Sequence, residues 1–457
     1  MVVGDPDPTV TGRAGLALVA EVDRVLGVAA TIDAHVGRIK HRRQGLGAGE
    51  LVLAMAETML AGGDFMVDLD HHRSDDAGRR LRAVPEVPAS TTFAALARRF
   101  DEVAVGDLET ALGMLTRRWF DALDDEHRTA LIEARPTIDL DATEIECYGP
   151  KKEGLAWNHA GQWAGRAHPA TWAEAGVVLA ACLGSGADDP RPQAPELITR
   201  AVASLPGGLG RPVVRADAGY FDVGVARAAL AAGADYAIAA KRNTAVWRSI
   251  AAVPADAWVP ARTMRGAEVA ECDYLPGGWP PATRAILRRV RLSATEVRAD
   301  PRSRRRRTLH PDQLRLALAG GTDVVYAYSL ILTNLAGDPV DIEGWFRQRA
   351  QIEERLKDSK LGMALRHLPS GKEAVNRVWM WSALLALNLS AWTQSLAGAD
   401  RAGRSHAKRL RRELIVIAAR VITHARHTVL RLSPADHLGP FPAAWATLRA
   451  LPSAGSG

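Results

Sequence analysis

Residues 137–145 read TIDLDATEI, and their alternation decides the class of the fold. Successive side chains of a strand point to opposite faces, so Ile138, Leu140 and Ala142 share one face while Asp139 and Asp141 share the other. Three more short apolar runs follow: EAGVVLAACLG (174–184), RPVVRADAGYF (211–221) and ADYAIAAKRN (234–243). Helical patterns lie between them at PELITRAVASL (195–205) and DVGVARAALAAG (222–233). Strands alternating with helices predict an α/β sheet.

Upstream, residues 1 to about 130 predict a mainly helical region, with periodic apolar positions in ELVLAMAETMLAGG (50–63) and VGDLETALGMLTRRWFDAL (105–123). Between them VPEVPASTTFAALARRF (84–100) offers Ser90 as an N-cap and a short amphipathic helix ending in Arg98 and Arg99. This stretch suits a DNA-contacting helix-turn-helix and, equally, an ordinary helical pair with a solvated basic end. Downstream, about 245–330 carries Trp247, Trp258, Trp279, several prolines and the runs RAILRRVRL (284–292) and DVVYAYSLILTNL (323–335), and reads as a β-rich insertion. Beyond Lys360 the pattern is helical again. An apolar stretch from Val378 to Trp392, interrupted by Ser382, Asn388 and Ser390, predicts a buried helix and not a membrane span. RSHAKRLRRELIVIAARVITHARHTVLRL (404–432) predicts a basic helix.

The 457 residues exceed one simple core, and 47% hydrophobic residues can bury real ones. Lys and Arg total 58 against 52 acids, a net charge of +6, a mild excess that favours a nucleic-acid partner. Three cysteines without CxxC spacing predict neither a disulfide framework nor a zinc site, and fit a reducing cytoplasm. The N-terminus MVVGDPDPTV lacks the basic and apolar regions of a signal peptide. GGLG at 207–210 lacks the Lys-Ser/Thr of a phosphate loop, so no nucleotide cofactor is implied.

The chemistry concentrates in carboxylates. Asp217 follows an apolar run and precedes a Gly-containing turn, the carboxyl end of a strand, where open α/β sheets place their sites. In WFRQRAQIEERLKDSK (345–360), steps of three, four and seven put Phe346, Arg349, Glu353 and Lys360 on one helical stripe, and Glu354 about 100° away. Two strand-end aspartates and a helical glutamate form an oxygen-ligand set for one or two Mg²⁺ ions, suited to in-line phosphoryl displacement. Cations beside that glutamate suit a phosphate backbone. Asp139 shares Asp141's face and stays open as the first ligand. A lone strand-end Asp is commonly a turn former or cap; the combination carries the reading.

These residues resemble the DDE transposases of bacterial insertion sequences, in the branch whose last motif is Tyr-x2-Arg-x3-Glu-x6-Lys. Arg349, Glu353 and Lys360 match in type and spacing, and Phe346 stands in the tyrosine position, removing a hydroxyl that could touch phosphate. Asp141-Ala142-Thr143 answers the first acid motif and Asp217-Ala218-Gly219-Tyr220-Phe221 the second. The doubled aspartate and the 410–432 stretch look most like the insertion sequence thirteen-eighty family.

The resemblance implies an α/β, ribonuclease-H-like catalytic core (131–244 and 331–370) interrupted by the β-rich insertion (245–330), with a helical DNA-binding region at 1–130 and a helical region at 371–457. It also implies a catalytic, metal-binding triad of Asp141, Asp217 and Glu353, served by Mg²⁺, for which Mn²⁺ can substitute. DNA contacts are expected from Phe346, Arg349, Lys360, Lys241, Arg242 and the run Arg304, Arg305, Arg306, Arg307 in a loop of the insertion. A base flipped out of the helix would need an aromatic shelf, with Trp247, Trp258 and Trp279 as candidates.

The implied activity is cut-and-paste transposition. Terminal inverted repeats are bound, ends are cleaved through a hairpin, and 3′-OH ends are joined to target DNA by a homodimer in the synaptic complex. The implied setting is a bacterial cytoplasm, nucleoid-associated when DNA is bound. The alternatives are a ribonuclease-H-like nuclease or resolvase without strand transfer, and a transposase-derived DNA-binding regulator.

Overall fold

The computed structural model describes residues 1–40, 45–299, 304–349, 358, 360–400, 404–425, 427–434 and 439–455, the side chains of 304 and 305 excepted. Its strands are β1 (Val10–Thr11), β2 (Thr137–Leu140), β3 (Thr143–Glu146), β4 (Ala156–Trp157), β5 (Trp163–Trp172), β6 (Val177–Ser185), β7 (Val213–Ala216), β8 (Asp235–Ala239), β9 (Val259–Pro260), β10 (Ala267–Cys272), β11 (Arg284–Ser293), β12 (Val324–Thr333), β13 (Ala419–His424) and β14 (His427–Leu432). All except β1, β13 and β14 belong to one 11-stranded sheet. The protein is a mixed α/β molecule built on this large mixed sheet.

The sheet's centre is parallel: β2 lies beside β7 and β7 beside β8. β5 lies antiparallel to β2 and continues in the same register along β3. The break between β2 and β3 falls at Asp141 and Ala142, opposite Pro169 and His168. Pro169 has no N–H to offer the carbonyl of Asp141, so the ladder is interrupted there. The strands expected as an insertion do not form a sheet of their own. β12 pairs with β8, β11 with β12, and β10 with β11, so they extend the central sheet past β8.

Alternation along β2, β7 and β8 divides the two faces. Ile138, Leu140, Val214, Ala216, Tyr236 and Ile238 join the main hydrophobic core, which runs from Ala14 to Leu448 and takes in the N-terminal helices. Val213 and Ala237 join a second cluster with Val340 and Ile342, against which Trp345 and Phe346 pack. The helix Glu373–Leu396 is buried along most of its length, and no described helix is long and apolar enough to cross a membrane. Its Asn388 accepts the Val178 N–H (2.7 Å) and donates to the Val178 carbonyl (3.0 Å), satisfying backbone beside the β-bulge between β5 and β6.

The C-terminal region departs from the expected helix. After a short helix at Ala407–Leu410 and a π-turn at Arg411–Ile415, residues 419–424 and 427–432 pair as the hairpin strands β13 and β14, and β1 pairs with β13. The β-branched residues Val421, Ile422, Thr423, Thr428 and Val429 favour strands, and Ala419 and Val421 bury one face of the ribbon. Arg420 and Arg431 pair across the ribbon on its opposite face.

Candidate active site

The site forms where β2 and β7 end. Leu140 is paired with Ala216 in the parallel register, so Asp141 and Asp217 are the next residues on adjacent strands. Asp217 caps the 3-10 turn Ala218–Tyr220, its Oδ1 accepting the Gly219 N–H at 2.8 Å. Asp141 Oδ1 accepts the Ala142 N–H at 2.9 Å and meets Arg349 Nη2 at 3.1 Å. Arg349 also reaches the Leu140 carbonyl at 3.4 Å.

Tyr220 lies in this electrostatic field. Burial, reinforced by the negative charges of Asp141 and Asp217, pushes its phenol well above the ordinary tyrosine range. Its hydroxyl is 3.3 Å from Nδ1 of buried His168. Burial pushes the His168 imidazole down to about 4, with Arg166 adding to the effect. Lys360 is half-buried, and desolvation lowers its pKa more than the carboxylates of Glu144 and Asp141 raise it. The site therefore gathers two strand-end carboxylates, a guanidinium and an ammonium.

Asp139 is differently employed, which separates it from Asp141. Its two oxygens accept Arg215 Nε (2.6 Å) and Nη2 (2.8 Å), with both side chains almost fully buried. A carboxylate held bidentately by an arginine has its oxygens directed at that cation and away from a metal position. Among the described residues no group of three or more His, Cys, Asp or Glu could hold a metal ion. Asp141 and Asp217 supply hard oxygen donors of the type Mg²⁺ takes. Glu353, expected as the third, lies outside the described residues.

The family model for the transposase DDE domain, group 1, matches residues 7–438. The chain belongs to this family. No curated protein matches. Among solved structures, a piggyBac transposase synaptic complex with hairpin DNA is similar at 11% identity and a TM-score of 0.42, covering 88% of this chain and 79% of that one.

In this DDE transposase chain the remaining candidates disperse. The helix Pro339–Arg347 carries Phe346 but ends at Arg347, with Gln348 and Arg349 in the following turn. The uninterrupted stripe expected from Phe346 onward is therefore broken before Arg349, whose N–H turns back to the Phe346 carbonyl. Lys241 is exposed after β8, and Arg242 donates to the Tyr328 carbonyl at 2.9 Å. The arginine run is not a loop: Arg304–Thr308 is a 3-10 helix. Arg306 donates to the Val297 carbonyl, while Arg307 is exposed.

Of the tryptophans, Trp258 is buried beneath the Arg289 guanidinium (4.2 Å), Trp279 is buried and stacked on Phe221 (5.4 Å), and Trp247 is half-buried against His310 and Tyr328. Ser90 is the first residue of its helix and not the cap.

Two neighbours of the site were not singled out from the sequence. Glu144 is paired across strands with Arg166 (2.6 Å) and accepts from Asn158 (2.6 Å). Arg215 stands two residues before Asp217, as Asp139 does before Asp141. Opposite charges at equivalent positions of two predicted strands were the available signal.

Proposed function

We propose that this protein is a cut-and-paste DNA transposase whose metal site is completed by Asp141, Asp217 and Glu353 on a ribonuclease-H-like core. The observation that carries the reading is the placement of Asp141 and Asp217 at adjacent carboxyl ends of parallel strands, in a chain matched over 7–438 by a transposase DDE domain family. The succession β6–β5–β2–β7–β8, antiparallel on one side of β2 and parallel on the other, supports that core.

Divalent Mg²⁺, or Mn²⁺ in its place, supplies charge neutralisation at the scissile phosphate and a more acidic bound water. Asp141 and Asp217 would hold the cation through their carboxylate oxygens. Arg349, anchored on Asp141 and the Leu140 carbonyl, keeps the first strand end in place and presents positive charge toward the DNA backbone. Lys360, within the field of Asp141 and Glu144, would add a second cation.

In the first step a water oxygen bonds to phosphorus and the 3′ oxygen of the transposon end leaves. In the next, that 3′-OH attacks a phosphate and releases its leaving oxygen, either on the opposite strand as a hairpin or in target DNA. The partners are terminal inverted repeats and target DNA, engaged by a homodimer in the synaptic complex.

The test is cleavage of linear DNA carrying the element's own terminal repeat, with Mg²⁺, comparing wild type with Glu353→Gln. Cleavage at the repeat boundary by wild type alone is expected. Repeat binding without cleavage by either protein would make the chain a DNA-binding regulator. Equal cleavage by both would remove Glu353 from the site, and boundary cleavage without joining to target DNA would leave a nuclease.

A further inference from the structure

Asp139 and Arg215 are direct partners in the parallel register of β2 and β7. Two residues further along each strand, by alternation on the same face, come Asp141 and Asp217. The two strands thus carry an ionic rung immediately before a carboxylate rung. The ionic rung is buried, with side chains 2% and 3% exposed. Arg215 has one nitrogen left over, and Nη1 donates it to the Trp345 carbonyl at 2.7 Å. The guanidinium also lies over the Trp345 ring, 4.9 Å from its centre. Trp345 is the third residue from the end of the helix Pro339–Arg347, and four residues later Arg349 meets Asp141. One side chain therefore touches both strands that end in aspartate and the helix that leads into the third motif.

We propose that Arg215, paired with Asp139, is the positioning residue of this site. It sets the register of the two aspartate-bearing strands and docks the 339–349 segment on them. The inference rests on the transposase reading above. A one-residue slip of β2 against β7 would send its acids to the opposite face. A two-residue slip in either direction keeps the face but leaves Asp139 buried without Arg215, a costly state for a carboxylate. Only the observed register pairs the buried charges and sets Asp141 beside Asp217. Stability alone does not call for such a pair, because apolar residues of similar volume commonly serve as well or better in a protein interior. Arg215 touches no reacting atom in this account and acts through Asp139 and Trp345.

The test uses the full chain and DNA bearing the element's terminal repeat. Two variants are compared with wild type: Arg215→Lys, which keeps a cation for Asp139 but lacks the fork that also reaches Trp345, and the apolar double Asp139→Leu/Arg215→Met. Thermal midpoint, DNA affinity, single-turnover cleavage with Mg²⁺ and hydrogen exchange of the 340–349 peptide are measured.

The expected result for both is cooperative unfolding, repeat affinity within threefold of wild type, cleavage slowed at least 30-fold, and faster exchange at 340–349. If either variant folds cooperatively and cleaves within threefold of wild type, or if exchange at 340–349 is unchanged, the positioning role is overturned. Should the double variant fail to fold, Arg215→Lys decides alone. A wild type that does not cleave would overturn the transposase reading, and the exchange measurement would still decide whether Arg215 docks the helix.

Discussion

The central sheet and the surroundings of Glu57 and His72 in the N-terminal helices both bury ionisable side chains, and they handle them differently. In the sheet, Asp139 and Arg215 face each other as a bidentate pair. In the helices, Glu57 and His72 are fully buried, and among the described residues neither forms an ion pair; His72 Nδ1 lies 2.9 Å from Arg13 Nη1. Glu57 accepts the N–H groups of Ala83 (2.8 Å) and Val84 (3.3 Å), and Arg82 donates to the carbonyls of His72, Val84 and Pro85. These side chains satisfy the backbone of an irregular turn, which buried peptide groups require. Burial pushes Glu57 up to about 7 and His72 down to about 3, each toward its neutral form. The sheet pairs Asp139 with Arg215 across two strands, whereas around the turn Glu57 and His72 are driven toward their neutral forms beside the Arg82 guanidinium.

The largest effect should come from the outer rung of the sheet. Asp141→Ala and Asp217→Ala are each expected to reduce repeat-end cleavage at least about 1000-fold, about 4 kcal/mol of transition-state stabilisation, with the thermal midpoint nearly unchanged. Asp139→Ala should behave differently although it shares Asp141's face. It leaves Arg215 buried and unpaired, which costs about 3–5 kcal/mol of folding stability. Urea unfolding alongside cleavage would separate the two. The assignment fails if Asp141→Ala unfolds the protein while Asp139→Ala remains stable and inactive.

Alternation in TIDLDAT was enough to put Asp139 and Asp141 on one face, and the strand–turn pattern of RPVVRADAGYF to put Asp217 at a strand end. That Arg215 engages both oxygens of Asp139 was not legible, because the two residues lie 76 positions apart. Local periodicity carries no information about a partner at that range. The same limit explains the C-terminal hairpin: arginine, alanine and leucine in 404–432 support a helix locally, whereas 419–424 is a strand that pairs with β1, some 400 residues earlier in the chain. It also explains why the β-rich insertion could be read from the sequence without its place in the sheet, since the pairing of β12 with β8 is long-range. Spacing alone likewise could not show that the helix carrying Phe346 ends at Arg347.

The neutral groups of the N-terminal helices give a smaller effect that depends on pH. His72 has a folded pKa below its ordinary value, so its contribution is present above about pH 6.5 and lost as pH falls toward 3. Glu57 has a folded pKa above its ordinary value, so its contribution is present below about pH 4.5 and lost as pH rises through 7. Between pH 4.5 and 6.5 the two slopes oppose each other. Glu57→Gln should therefore expose a stability that rises with pH, and His72→Gln one that falls with pH, each by on the order of 3 kcal/mol across its window. Urea unfolding in steps from pH 4 to 7.5 reads this directly. Identical pH profiles for both variants would mean that these groups are not held neutral, and the contrast with the sheet would disappear.

The smallest effect concerns the helix at Ser90–Ala97, and it asks whether a cap must come from the residue beside the helix. Asp70 stands twenty positions earlier, yet its Oδ1 accepts the Ser90 N–H at 3.0 Å and its Oδ2 the Ser90 hydroxyl at 2.6 Å. Those bonds from Ser90 hold the Asp70 carboxyl below the usual range, so this contribution is present above about pH 4 and fades as pH falls below it. Loss of a capping side chain costs about 1 kcal/mol. Asp70→Ala should destabilise by about that amount at pH 7, because it strips both bonds. Ser90→Ala keeps the backbone N–H on Oδ1 and should cost about half as much, since one hydrogen bond is worth about 1 ± 0.5 kcal/mol. If Ser90→Ala is the more damaging, the hydroxyl does the capping that the sequence first suggested; if Asp70→Ala is, the helix is started by a carboxylate from a different turn of the chain.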